Sequence, residues 1–399
     1  MPSTPLLDTA TTHLDDMIDL RRRLHRRPEL GLQLPETQAA VLAELDGLPL
    51  EITTGTGCTS VVATLKGARP GRRVLLRGDM DALPMPEDTG LDYASEVPGT
   101  MHACGHDAHV AMLVAAARML CARRDELAGE VRFMFQPGEE GYRGAGVMID
   151  EGVTDGIDGA FAIHITPNVP SGMVVTRPGP FMASADELFI TVRGRGGHAS
   201  TPHFTADPVP VACEIVLAIQ SAVTRRVDVF APAVVTITTL ESGTANNVIP
   251  EFAKVSGTIR ALSEATRGAV HADMQRLATG IAAAHGLEAE VHIDTQYPVT
   301  VNDAGVAQLV LEVATELGVR NGEAPAPAMG AEDWSLVLQK VPGAMAFLGV
   351  CPPDIPDARR APACHSNVMR LDEEAMRVGA ALHVAMAEAM LAGRGLPTT

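Results

Sequence analysis

A chain of 399 residues exceeds the size at which one hydrophobic core usually stops growing, so at least two domains are expected. With 46% apolar but only 3% aromatic residues, the composition is that of a globular α/β protein with an aliphatic core, not a disordered or fibrous chain. The formal net charge of −18 repels phosphate backbones and anionic lipid, which argues against nucleic-acid and membrane partners.

No apolar run approaches the ~20 residues needed to span a bilayer. The opening stretch MPSTPLLDTATTHLDDMIDL lacks a basic start followed by an apolar core, so a cytoplasmic location is expected. Six cysteines, Cys58, Cys104, Cys121, Cys213, Cys351 and Cys364, contain no CxxC pair and read as reduced thiols. Residues 14 to 27 carry apolar positions at Leu14, Met17, Ile18 and Leu24, with acids early and bases late, and predict a helix ended by Pro28. Two short strands follow, Val61 to Leu65 and Val74 to Arg77, split by a Gly67 to Gly71 turn; the second delivers Gly78-Asp79-Met80-Asp81 at its C-terminal end.

The stretch MHACGHDAH, Met101 to His109, precedes an apolar, Ala-rich run from Val110 to Leu120 that predicts a buried helix with Asp107 as its cap. Cys104 and His106 then lie in the turn leading into that helix. A strand at Val131 to Phe135, the pair Glu139-Glu140 and a strand Gly159 to His164 continue a strand and helix alternation, as in a doubly wound sheet. The Pro- and Gly-rich segment Thr166 to Met182 reads as a linker. From Ala183 a compact α+β pattern begins, with strands at Glu187 to Arg193, Ala233 to Leu240 and Lys254 to Leu262 and helices at Asp207 to Val223 and Ala269 to His285. The predicted organisation is a catalytic domain over residues 1–182 and 296–399, with a mixed, mostly parallel sheet flanked by helices, interrupted by a small α+β domain over 183–295.

Thiolate, imidazole and carboxylate are the ligands a borderline divalent ion wants, and Cys104, His106, Glu140 and His164 offer all three where loops meet strands. Two consecutive loop carboxylates point differently, so Glu140 can bind metal while Glu139 acts as base toward a water. That pairing predicts hydrolysis of an amide or ester. Taken singly, each residue has a plainer reading: a core cysteine, a solvated turn, a hydrogen-bonded strand histidine. His102 and His109 read as structural or as supports for ligands. A thiol nucleophile at Cys104 with His106 as base is the rival chemistry, though neighbours two apart in a tight turn align poorly for proton transfer.

Read together and in order, RRRLHRRPELGLQLPET, LLRGDMDALPMPE, MHACGHDAHVAML, FQPGEEG, AIHITPNVPSG, GRGGHASTPHFTADP, NNVIPE, GTIR, MGAEDWS and CHSN resemble the amidohydrolase branch of the aminoacylase/carboxypeptidase metallopeptidases. That branch includes hippurate hydrolases, N-acyl-amino-acid amidohydrolases and indole-acetyl-amino-acid hydrolases. The resemblance implies two divalent ions per subunit, zinc or manganese with cobalt or nickel also able to fill the site, held by Cys104, His106, Glu140, His164 and His365. It implies Glu139 as general base, and Asp79 or Asp81 as a support that fixes a ligand histidine. It also implies a homodimer formed through the inserted dimerisation or lid domain, His198 as an oxyanion donor reaching a partner's site, and Asn247 and Arg260 at the substrate carboxylate. The implied activity is hydrolysis of N-acyl amino acids; the alternative is a small-peptide carboxypeptidase or dipeptidase. Cys364, Trp334 and Tyr142-Arg143 depart from the family pattern, and the last three are expected to tune an acyl pocket.

Overall fold

The computed structural model describes residues 4–397, which group into two compact units. One holds the chain up to Phe181, Val301–Ala326 and everything from Asp333; the other holds Met182–Thr300 and Pro327–Glu332.

The first unit is built on an eight-stranded sheet in the order Glu51–Thr54, Val61–Lys66, Ala128–Gln136, Arg69–Asp79, Gly159–Thr166, Gly343–Gly349, Val174–Thr176, Asn321–Glu323. Its four central strands, from Ala128–Gln136 to Gly343–Gly349, run parallel, while both flanks contain antiparallel pairs. Parallel central strands are covered on both faces, which is why Gly159–Thr166 is buried along nearly its whole length rather than alternating. Helices His106–Ala122 and Met376–Leu391 pack on each other and on Arg69–Asp79. They approach closely because residue 379 is glycine: a Cβ there would lie 2.1 Å from the Met112 sulfur.

One expectation needs correction. Val174–Thr176 is a strand of the large sheet, pairing antiparallel with Gly343–Gly349, so Thr166 to Met182 is not a plain linker. Three residues are too few for periodicity to reveal. The helix ended by Pro28 does form, over Leu14–Arg26, with Asp15 and Asp16 in its first turn and Arg23, His25 and Arg26 in its last.

The second unit is a four-stranded antiparallel sheet, in the order Ala233–Ser242, Phe252–Ala261, Ala185–Arg193, Glu288–Tyr297. Leu188, Ile190 and Val192 alternate inward along Ala185–Arg193 and pack with Val211, Ile215, Val270 and Met274 of the helices Pro208–Arg226 and Glu264–Ala284. Asp207 and Ser263 cap those helices through side-chain hydrogen bonds. Among the described residues no helix is long and apolar enough to cross a membrane.

Candidate metal centre

MHACGHDAH is fixed at both ends. Met101 pairs with Leu83 through two backbone hydrogen bonds of 3.0 Å, and His106 opens the helix His106–Ala122. Between them Gly105 adopts φ +82°, where any Cβ would fall 2.6 Å from Ile165; only glycine allows this reversal. Gly105 therefore takes the N-cap position, and Asp107, one residue inside the helix, still accepts the Ala108 N–H through Oδ1 at 3.0 Å. The other oxygen of its buried carboxylate is held by Arg21 Nε at 3.0 Å and His25 Nδ1 at 2.7 Å.

Two imidazoles are oriented by what their Nδ1 atoms bind. His106 Nδ1 lies 2.8 Å from the Asp81 carbonyl and His164 Nδ1 lies 2.6 Å from the Ile165 carbonyl. A carbonyl only accepts, so each Nδ1 carries the proton and each Nε2 is left as a donor atom for a metal. His164 Nε2 sits 3.3 Å from Cys104 Sγ, and His365 Nε2 sits 3.0 Å from Glu140 Oε1. His365 holds φ +70°, an uncommon conformation for a residue with a Cβ, and its N–H donates to the Ala103 carbonyl at 2.8 Å. Such local strain is common where a side chain must be aimed.

Ligand-type atoms of Cys104, His106 and His164 lie within 4.8 Å of one another, as do those of Cys104, Glu140 and His365, and those of His106, Glu139 and Glu140. All five candidate ligands and Glu139 thus converge, with the Cys104 sulfur common to two groups. Soft sulfur, imidazole nitrogen and carboxylate oxygen in this mix suit a divalent first-row ion. His106 Nε2 is buried without a hydrogen-bond partner, which is the state of a donor atom awaiting an ion.

Asp81 acts on the glutamate pair and not only on a histidine. Its two carboxylate oxygens accept the backbone N–H groups of Glu139 at 2.9 Å and Glu140 at 3.0 Å, which fixes the turn that splays the two side chains. Glu139 is itself buried, with Oε1 3.4 Å from the Asp333 backbone nitrogen. Asp79 is held by His109 Nδ1 at 2.5 Å and Arg77 Nη1 at 2.5 Å, while His109 Nε2 accepts the Ile165 N–H at 2.8 Å. His109 is therefore a support, whereas both ring nitrogens of buried His102 lack hydrogen-bond partners.

Arg77, Gln136 and Asp333 were not singled out by the sequence reading. Arg77 donates through Nε to Gln136 at 2.9 Å and through Nη2 to Asp333 at 3.1 Å. Gln136 Nε2 and the Ala145 N–H also donate to Asp333, each at 2.8 Å. The signal was present: an arginine inside the apolar run VLLRGD cannot be buried unpaired.

The electrostatics are those of concentrated negative charge. Burial opposes a proton on His106, but Asp79, Asp81 and Glu140 outweigh it and push its pKa up to about 10. Burial, helped by the neighbouring His109, pushes His164 down to about 3, leaving a neutral imidazole. Contact with the Cys364 thiol, then burial and the two glutamates, push the Cys104 thiol up. Burial raises Asp79, yet Arg77, His106 and His109 hold it well below the ordinary carboxylate range. A field that forces a proton onto His106 and resists a thiolate at Cys104 is one that a divalent cation would neutralise, displacing both protons.

His198, Asn247 and Arg260 belong to the second unit. His198 and Val248 face each other in a short antiparallel pair, and the Ala199 N–H donates to the Asn247 carbonyl at 3.0 Å, so His198 and Asn247 are neighbours and both exposed. His198 Nδ1 accepts the Ser200 backbone N–H at 3.1 Å, so Nε2 is the nitrogen left to donate. Arg260 lies half-buried on Phe252–Ala261, its pKa lowered by burial against the pull of Asp186 and Glu187. Trp334 is fully buried, so it is a core residue and not a pocket wall; Tyr142 is exposed, its ring against Gly31.

The sequence pattern of Peptidase family M20/M25/M40 matches residues 75–389. The chain is 41% identical to thermostable carboxypeptidase 1 of Saccharolobus solfataricus over 382 residues, 94% of this chain and 95% of that protein. It is 39% identical to the N-acetylcysteine deacetylase of Bacillus subtilis over 363 residues, 91% of this chain and 93% of that protein. The crystal structure of the Bacillus subtilis YXEP protein, described as a dinuclear metal binding peptidase, aligns with TM-score 0.84 at 35% identity, covering 96% of this chain and 99% of the other.

Proposed function

Because the chain belongs to peptidase family M20/M25/M40, we propose that it is a two-metal amidohydrolase that splits N-acyl amino acids into a carboxylate and a free amino acid. The observation that carries this reading is one sulfur, Cys104, common to two ligand groups beside the buried carboxylate of Glu139. The ligands are Cys104, His106, Glu140, His164 and His365, and the ions are zinc or manganese. When bound, such ions polarise the scissile carbonyl and acidify water.

The chain's own residues do the rest. Glu139 takes the proton of the attacking water and returns it to the leaving nitrogen, which must depart as an amine. Asp81 keeps Glu139 and Glu140 apart in role by fixing both backbone N–H groups. The second unit mediates a homodimer in which the partner subunit's His198 donates to the oxyanion, while Asn247 and Arg260 bind the substrate carboxylate. An Nε2 left to donate on exposed His198, with Asn247 beside it, supports that role. The protein acts in the cytoplasm.

Similarity to the Saccharolobus carboxypeptidase favours a second reading, cleavage of the C-terminal residue from small peptides. Release of free amino acid from N-acetyl and N-benzoyl amino acids, measured beside free dipeptides and blocked peptides, separates the two. Preference for peptides by kcat/KM would overturn the acyl-amino-acid reading.

A further inference from the structure

Cys364 has no role in the ligand set, yet it is placed against it. Its Sγ lies 4.0 Å from the Cys104 carbonyl oxygen and 3.9 Å from the Ile165 carbonyl oxygen, which sets its thiol against the residue that supplies the shared sulfur. The backbone bond from His365 N–H to the Ala103 carbonyl aligns Cys364 with Cys104. Among the described residues Cys364 joins none of the groups of three ligand atoms. It touches one ligand without being one.

We infer that Cys104 and Cys364 form a redox pair, in which oxidation by a hydroperoxide to a disulfide removes the thiolate shared by the two ligand groups and releases metal. Of the two thiols Cys364 is the more accessible, half-buried where Cys104 is buried. Its thiolate attacks the peroxide, the O–O bond breaks, and the alcohol or water leaves, giving a sulfenic acid. The Cys104 sulfur then attacks the sulfenic sulfur, the S–O bond breaks, and water departs. Two thiols lose two electrons in total and the peroxide gains them. A disulfide sulfur carries no charge to offer an ion, so both groups that contain Cys104 lose their soft ligand. A dithiol reductant reverses the step, and metal added back refills the site. This inference rests on the reading of Cys104 as a metal ligand.

The test treats the full-length, metal-loaded protein with hydrogen peroxide and follows released metal with a chromophoric chelator. In parallel, thiols are trapped under denaturing conditions and peptides are analysed by mass. The expected result is a peptide containing Cys104 joined to Cys364, lighter by about 2 mass units than the two separate thiols. Metal is released in step with it and restored after dithiothreitol and metal. Cys364→Ser, and independently Cys364→Ala, should slow peroxide-driven metal loss by at least about tenfold, since the thiol that meets the peroxide is gone and the remaining Cys104 sulfur is buried and ligated. Cys213→Ser, which removes the exposed thiol, should behave as the parent. Absence of the 104–364 link, or equal metal loss in the Cys364 variants, would overturn the inference. A protein that binds no metal would defeat the functional reading instead, while the crosslink, read without metal, would still decide the thiol pairing.

Discussion

Both units bury a carboxylate against cations, and they do so to opposite ends. In the second unit Asp186 is closed on itself: Arg267 Nε reaches one oxygen at 2.9 Å, Arg267 Nη2 contacts the other, and His271 Nε2 lies 2.7 Å away. In the first unit the outer ring is closed in the same way, with Asp79 between Arg77 and His109. Inside that ring, however, His106 Nε2 has no hydrogen-bond partner and the Cys104 thiol stands among carboxylates. Buried charge alone is structure; a closed ring around open donors is a site.

The largest effect that would sharpen this contrast is chemical. Glu139→Gln keeps shape and removes the base, so turnover should fall by about 10²–10⁴-fold with metal content unchanged by elemental analysis. Near-parental activity in that variant would break the assignment. Next comes the response of the two buried carboxylates. Arg267→Ala should destabilise the second unit by about 3–5 kcal/mol in denaturant unfolding, because it strands Asp186, while metal content per folded chain holds. Asp79→Asn should do the reverse in kind and lower metal occupancy, since His106 loses the negative charge it faces at 3.5 Å. Equal metal occupancy in both variants would erase the distinction.

A smaller effect is the pH dependence of stability set by His25 and Glu87, which meet at 3.3 Å. Burial opposes charge on His25, but Asp107 outweighs it and raises the pKa above 6.5. Its contribution is full below pH 6.5 and is lost as pH rises through the raised value. Burial likewise opposes ionisation of Glu87, yet hydrogen bonds from His25 and Thr89 bring it to about 2. Its contribution is full above 4.5 and is lost as pH falls toward about 2. Thermal unfolding across pH should therefore show an acid limb that Glu87→Gln flattens; an unchanged limb would contradict the pairing. The smallest expected change is at the second unit's surface. Phe230 is 93% exposed, so Phe230→Ser should move unfolding by no more than about 0.5 kcal/mol.

What could be read from sequence alone follows from distance along the chain. Cys104 and His106, or Glu139 and Glu140, are close enough for spacing to report shared geometry, and the apolar run ending in His164 signals its own strand end. His365 entered only through resemblance, because 260 residues separate Cys104 from Cys364 beside it. The Arg77 network was missed for the same reason, its partners lying 59 and 256 residues away. Asp107 was given the cap position, while it bonds the first turn from inside the helix, because capping preferences do not foresee a glycine in the left-handed region taking that position. Its side-chain partners, Arg21 and His25, lie on a helix 86 and 82 residues earlier in the chain.

The central claim is that the ring around Cys104 holds two ions that turnover requires. Metal content per subunit by elemental analysis, paired with hydrolysis of N-acetyl and N-benzoyl amino acids before chelation, after it and after metal add-back, tests it most directly. The account predicts about two ions per chain and activity that is lost with them and returns with them. A metal-free chain that hydrolyses these substrates, or activity indifferent to the chelator, would contradict it and return Cys104 to the role of nucleophile.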